Sequence, residues 1–349
     1  MRVVVVGATG NVGTSVLDAL ADEPQVESVL GLARRVPEVE LPKVEWARAD
    51  VTRDELVPHF RGADCVVHLA WKIQPSRDSA SLRATNVHGS ARVFLAAAEA
   101  KVPALVYASS VGAYSPGPKD RRVDESWPTG GIPSSFYSRH KSEVERILDR
   151  LEQEQPPTRV VRLRPGLIFK REAATGIRRL FAGPFLPSPL LHPRLLPLVP
   201  DLPRLRFQAV HSRDVGEAYR LAISGDARGA FNVAAEPVLD PQELARLLRA
   251  RPVRVPEGLV RGAAALSWRL HLQPTPPGWL DLALNVPLLD VTRARDELGW
   301  APRHTAGEAL LELLAGMRAG AGAKTPPLDP AESGPARVRE LAGGVGSRE

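Results

Sequence analysis

The stretch Val3-Val4-Val5-Val6-Gly7-Ala8-Thr9-Gly10-Asn11-Val12-Gly13 decides the fold. Four consecutive valines read as a short strand buried on both faces, and a helical pattern takes over at Gly13–Ala21. Between them lie three glycines at intervals of three. Glycine lets the backbone turn tightly and come close to a pyrophosphate, whose charge the free N–H groups at the helix N-terminus stabilise. A βα turn can hold three glycines without binding anything, but the position directly behind a strand favours a dinucleotide site. Gly7, Thr9, Gly10, Asn11, Val12 and Gly13 are the residues expected to form it.

Outward from this turn, strand-like runs of Val, Leu and Ala alternate with helical segments up to Val160–Leu163. Such alternation predicts an α/β fold, a doubly wound parallel Rossmann sheet with helices on both faces. After Arg164-Pro165-Gly166 the composition changes, and prolines crowd the stretch from Leu180 to Leu205. We therefore expect residues 1–165 to form the dinucleotide-binding unit, with 207–235 returning to it. Residues 166–206 and 236–318 are expected to build a smaller substrate lobe, and 319–349, rich in Gly, Ala, Pro and mixed charge, to be a disordered tail.

The chain has 349 residues, 44% apolar and 25% charged, enough for about two lobes with cores of their own. A single cysteine, Cys65, allows no internal disulfide and no Cys/His cluster has zinc spacing, so a reducing cytoplasm and no metal are expected. The charge of +6 comes mainly from arginines scattered among acids, without a basic tail or an aromatic-interleaved patch, which argues against nucleic acid. No stretch suits a membrane span or a signal peptide: the most apolar one is broken by seven prolines between Pro184 and Pro203.

About twenty residues beyond the last glycine, a dinucleotide fold presents the side chain that meets the adenosine ribose. Here stand Ala33, Arg34 and Arg35. Two guanidiniums without a carboxylate favour a 2′-phosphate, so NADP(H) is expected over NAD(H), although solvated loop arginines would look the same. Asp50, followed by Val51, suits the adenine amino group or a helix cap. Tyr137 and Lys141, four apart in a helical pattern, share one helix face. An ammonium about 4 Å from a phenol contributes about 4 kcal/mol at an effective dielectric of about 20, which would bring the tyrosine into proton-exchange range.

At this point the sequence resembles the extended short-chain dehydrogenases/reductases, the NAD(P)-dependent epimerase/dehydratase family, over about Met1 to Met317. The motifs run in order: Gly7-x-x-Gly10-x-x-Gly13, His68-Leu69-Ala70, Asn86-Val87-x-Gly89, Tyr107-Ala108-Ser109-Ser110 with Tyr114 behind it, Tyr137-x-x-x-Lys141, Arg164-Pro165-Gly166 and Val210-His211-x-x-Asp214-Val215. The resemblance implies Tyr137 as acid/base, Lys141 as its electrostatic partner and a ribose ligand, and Ser110 as the hydroxyl that polarises the substrate oxygen. It implies Asn86 as the residue that helps hold the lysine and its water. Leu69, Ala70 and Pro165 join the cofactor site, and two long helices, Leu82–Ala100 and Tyr137–Glu154, pair in a homodimer.

Departures from the family pattern narrow the expectation. Ser110 is followed by Val111-Gly112, not by the Asp-Glu of 4,6-dehydratases, and Trp71 stands where a small residue is usual. Trp71 either narrows the pocket or packs. His211 reads as structural. Sugar-nucleotide members carry two second-lobe arginines. One position is Phe207 here, and no Arg or Lys lies between Arg269 and Arg293, so a nucleotide-diphosphate sugar is not expected, although Arg178 and Arg179 could substitute. The expected activity is reversible hydride transfer between NADP(H) and the carbinol or carbonyl carbon of a small or apolar molecule. The alternatives are a nucleotide-sugar epimerase and a non-catalytic dinucleotide-binding sensor.

Overall fold

The structure is a computed structural model that describes residues 1–74, 77–154, 157–181 and 197–330. Its centre is one parallel sheet of β1 (Arg2–Val6), β2 (Ser28–Ala33), β3 (Val44–Arg48), β4 (Cys65–His68), β5 (Ala104–Ala108), β7 (Arg159–Pro165) and β11 (Gly229–Val233), in spatial order β3-β2-β1-β4-β5-β7-β11. The order reverses at β1, which is where such sheets open a ligand crevice at their carboxyl ends. Short two-stranded pairs lie outside it: β6 (Arg122–Val123) with β13 (Leu288–Leu289), β8 (Leu167–Phe169) with β10 (Ala209–His211), and β9 (Leu198–Asp201) with β12 (Arg251–Arg254). Of the segment expected to return, β11 joins β7, whereas β10 pairs with β8 instead.

The helices are α1 (Asn11–Ala21), α2 (Val57–Phe60), α3 (Ser79–Arg83), α4 (Gly89–Glu99), α5 (Phe136–Glu154), α6 (Ala174–Phe181), α7 (Ser212–Ser224), α8 (Pro241–Leu248), α9 (Glu257–Arg269), α10 (Gly278–Asn285), α11 (Thr292–Leu298) and α12 (Ala306–Ala319). Period-two alternation in β1 sends Val3 and Val5 to one core and Val4 and Val6 to the other. On the first side α1 and α7 cover the sheet through Val16, Leu20, Val215 and Tyr219; on the second α4 and α5 cover it through Val93, Phe94, Val144 and Leu148. A third core joins Phe169, Ala209 and Leu239 to Leu313 and Met317 of α12. That helix starts with a capping box of Thr305 and Glu308 and ends at left-handed Gly320.

The tail expectation needs correction. Residues 320–330 fold back: Leu328 is buried, Ala323 N–H donates to the Leu328 carbonyl and Thr175 donates to the Ala321 carbonyl at 2.7 Å. One apolar side chain in a polar stretch is too small a signal for a periodicity reading. Residues 331–349, like most of the proline-rich stretch, lie outside the described residues. Among the described residues no helix is long and apolar enough to cross a membrane.

Candidate active site

The glycine turn sits at the carboxyl end of β1. Gly7 has φ 90°, and a Cβ there would stand 2.6 Å from the Ala70 nitrogen; a Cβ on Gly13 would stand 2.5 Å from the Ala8 carbonyl. These two glycines are demanded by the protein's own packing, and the first sets the end of β4, with Leu69 and Ala70, against the turn. Gly10 differs, since its Cβ would meet nothing closer than the Gly7 oxygen at 3.6 Å. The start of α1 carries no side-chain cap and no acid in its first turn. Among the described residues the Asn11 Oδ1 is buried without a donor, while its amide donates to the Ile168 carbonyl at 3.3 Å. Open space at Gly10 and uncapped N–H groups suit a diphosphate-bearing cofactor. Thr9 is buried beneath the turn and Val12 packs on the first core.

Arg34 and Arg35 are exposed directly after β2. The Asp50 carboxylate accepts from both the N–H and the hydroxyl of Thr52, at 2.9 and 2.7 Å. Burial works against its ionisation, but the Thr52 bonds together with Arg34 and Arg53 outweigh burial and hold it below the ordinary range. The Val51 side chain is turned into the second core against Gly89, and its carbonyl accepts from Arg92. Pro165 is buried at the end of β7, paired with Val233.

Tyr137, Lys141 and Glu145 lie at successive turns of one face of α5. The Tyr137 side chain lies beside Ser110 over Gly112, and the Ser110 Oγ accepts from the Gly112 N–H at 3.0 Å. Gly112 is what admits the phenol ring, because a Cβ there would stand 2.9 Å from Tyr137 Cε1. Lys141 donates from Nζ to the Ala108 carbonyl at 2.5 Å and lies 3.5 Å from the Trp71 ring centroid. Tyr137 is flanked by Trp71, ring centres 5.9 Å apart, and by Trp279 of α10 at 5.1 Å.

One expectation fails here. The Lys141 ammonium does not depress the phenol: burial raises Tyr137 above its ordinary value against the neighbouring Ser110 hydroxyl, and burial pushes Lys141 well below its own in spite of Glu145. Desolvation disfavours the charged form of each group, and in the closed site it exceeds their mutual support. Asn86, expected to help hold Lys141 and its water, has its side chain on the Lys72 backbone. It lies in a π-helical turn, Ala84–His88, where its amide accepts from the Lys72 N–H and donates to the Lys72 carbonyl, both at 2.7 Å. Its work is to clamp the chain beside Trp71.

Glu145 was missed in the sequence. Its fully buried carboxylate receives Arg164 through two bonds of 2.9 and 3.0 Å, Arg162 at 2.9 Å and the Ser109 hydroxyl at 2.5 Å. Arg164 continues to Tyr114, whose hydroxyl donates to Asn232 at 2.7 Å. The pattern Arg162-x-Arg164 on a strand was its one sequence signal. His211 accepts the Arg213 N–H and stacks on His304 at 4.1 Å.

Comparison with known proteins gives the family and the fold. The family model described as NAD dependent epimerase/dehydratase family matches residues 3–234. An uncharacterized protein of Mycobacterium tuberculosis is 26% identical over 339 residues, covering 94% of this chain and 86% of its own. A 4-hydroxy-2-methyl-3-oxo-4-farnesyl-3,4-dihydroquinoline-1-oxide ketoreductase of Stigmatella aurantiaca is 27% identical over 353 residues, covering 93% and 98%. Among solved structures, the UDP-glucose 4-epimerase of Thermus thermophilus in complex with NAD superposes with a TM-score of 0.66 at 22% identity, over 91% of this chain and 99% of that one.

Proposed function

The chain belongs to the NAD-dependent epimerase/dehydratase family, and from that premise we propose that it is an NADP(H)-preferring oxidoreductase that reduces the carbonyl group of a small or apolar substrate. The observation that carries the reading is the Ser110–Tyr137–Lys141 group at the carboxyl ends of the central strands, walled by indoles. When bound, the reduced nicotinamide supplies the hydride. Tyr137, kept protonated by burial, gives its phenolic proton to the substrate oxygen, which holds the electron pair released from the C=O π bond as its carbon takes the hydride. Ser110 donates to that same oxygen. Lys141 would hold the ribose.

The second lobe speaks for an apolar substrate. Phe207 is paired through its backbone with Leu239 and packs on the third core. Arg204, Arg206 and Lys119 donate to the main-chain carbonyls of Gly117, Leu284, Lys119, Arg206 and Ala283. That these cations tie loops together supports a substrate without a diphosphate. The Stigmatella relative, by name a ketoreductase, fits the same direction of reaction. The exposed Arg34 and Arg35 support the 2′-phosphate preference.

The test is a screen of carbonyl compounds followed by NADPH absorbance. Tyr137→Phe should abolish turnover with NADPH affinity unchanged, and full activity in that variant would refute the mechanism. NADPH should bind about ten- to a hundredfold tighter than NADH, an advantage lost in Arg34→Ala/Arg35→Ala. Saturable micromolar binding of UDP-glucose would restore the sugar epimerase.

A further inference from the structure

Helix α9 turns its apolar side outward. At about 100° per residue, Leu259, Leu266 and Leu270 at its cap fall within about 40° of one another, with Gly262 and Ala263 on the same side. The three leucines are exposed to 66, 58 and 58%, and Leu272, just past the helix, to 55%. A Cβ on Gly258 or Gly262 would meet nothing within 4 Å. The opposite side meets the protein: Arg261 pairs with Asp281 of α10 at 2.8 Å, and the Arg77 guanidinium lies 3.6 Å from the Trp268 ring centre. Ala264 and Ala265, between them, are half-buried. A surface helix ordinarily sets its leucines against the core, so the arrangement in α9 is inverted.

The helix end is well formed. His271 takes φ 60°, the Leu272 N–H donates to the Ser267 carbonyl at 2.9 Å, and the Gln273 amide donates to the Ala264 carbonyl and the Ser267 hydroxyl. Leu270 and Leu272 therefore stand out from an ordered turn. From Arg249 to Leu272 the chain carries five arginines and a single acid, Glu257. Arg254 and Arg269, at the two ends of α9, are exposed, and so is the whole of β12 that leads into it.

Two occupants suit an apolar face with cationic ends, a second copy of the chain and an anionic lipid surface. A helix of 13 residues is about 20 Å long and about 10 Å wide, so its outer side offers about 200 Å² per copy, against about 800 Å² in a stable pair. A two-fold pair would also bring the same arginine-rich stretch against itself. A bilayer needs only leucines that reach below the headgroups and arginines beside the phosphates. We propose that α9 docks flat on an anionic lipid bilayer, with Leu259, Leu266, Leu270 and Leu272 inserted and Arg254 and Arg269 at the lipid phosphates. The contact goes beyond the proposed reaction and does not depend on it, because it is read without substrate.

The full chain is sedimented with vesicles of phosphatidylcholine, alone or with roughly one third phosphatidylglycerol. Binding should be about tenfold tighter to the mixed vesicles. Leu266→Ser/Leu270→Ser keeps the charge and alters exposed positions, so it should weaken that binding about tenfold at an unchanged melting temperature. Arg254→Gln/Arg269→Gln should remove most of the preference for phosphatidylglycerol. Acrylodan attached at Leu266→Cys reports what covers the face, since Cys65 is buried in the folded protein. Its emission should move to the blue with the mixed vesicles and in no other condition. Blue emission from dilute lipid-free protein would assign the face to another part of the chain, and blue emission that grows with protein concentration to a second copy. Either result overturns the proposal, as would absence of vesicle binding, equal binding to both vesicles, or binding that survives loss of the two leucines.

Discussion

Replacing Glu145 by Gln should cost the fold about 3 kcal/mol. Arg164 and Arg162 hold the buried carboxyl at about 2 against an ordinary 4.5, although burial alone would raise it. At about 1.4 kcal/mol per pH unit that difference amounts to about 3 kcal/mol of stability. The side chain is wholly buried, so solvent screening takes nothing from it. Removing one partner of a buried ion pair costs about 3–5 kcal/mol in general, because the other charge is left behind. Here Arg162 retains Asp149 and Glu152, while Arg164 is left with the Tyr114 hydroxyl and the Glu125 carbonyl. Since the folded-state pKa is depressed, the stabilisation is fully present above pH 4.5 and is lost as pH falls from there through about 2. Urea unfolding followed by circular dichroism at pH 7 should thus show the full deficit, and at pH 3 only about 1 kcal/mol of it. Glu99→Gln, at an exposed position, serves as control and should stay within about 0.5 kcal/mol. A Glu145→Gln deficit below about 1 kcal/mol at pH 7, or one that does not change with pH, would refute the reasoning.

Gly10→Ala should leave the unfolding midpoint within about 1 kcal/mol of the parent and weaken NADPH binding more than tenfold, as read by thermal melt and fluorescence titration. The open space around it underlies this, whereas Gly13→Ala, with its Cβ against the Ala8 carbonyl, should destabilise the protein outright. Burial pushes the Cys65 thiol up to about 12, so iodoacetamide at pH 8 should leave it untouched in the native protein and label it in urea. Cutting the chain after Gly320 should cost about 2 kcal/mol through loss of buried Leu328; an unchanged urea midpoint would show that residues 321–330 do not dock.

The central sheet and the glycine turn were legible because their signals are local: a run of Val, three spaced glycines, and a helical period straight after. What depended on a partner far along the chain was not. Glu145 looks like any glutamate in α5, and it is β7 that brings two arginines to it. Asn86 showed its importance by motif, but its partner is a backbone, which has no sequence signature. Helix α9 buries none of its residues, so no core-facing apolar stripe marked it, and every residue of β12 is exposed. The tyrosine's pKa went the opposite way because spacing alone assigned the Tyr–Lys pair a half-solvated environment. Burial, which depends on Trp71 and Trp279 closing over the pair, cannot be read from the spacing of two residues.

The hydroxyls of Ser15 in α1 and Ser212 in α7 meet at 2.9 Å across 197 residues of chain, and Gly216 is pressed so near that a Cβ would lie 2.3 Å from the Ser15 oxygen. During synthesis the side of α1 that meets α7 leaves the ribosome long before its partner helix exists. At about 5–20 residues per second the wait is roughly 10–40 s, in which that surface is open to chaperones or to a neighbouring nascent chain. With its central contacts joined over such sequence distances, the protein should fold slowly for its size, and the start of α7 is the point in translation at which its first helix can be sealed.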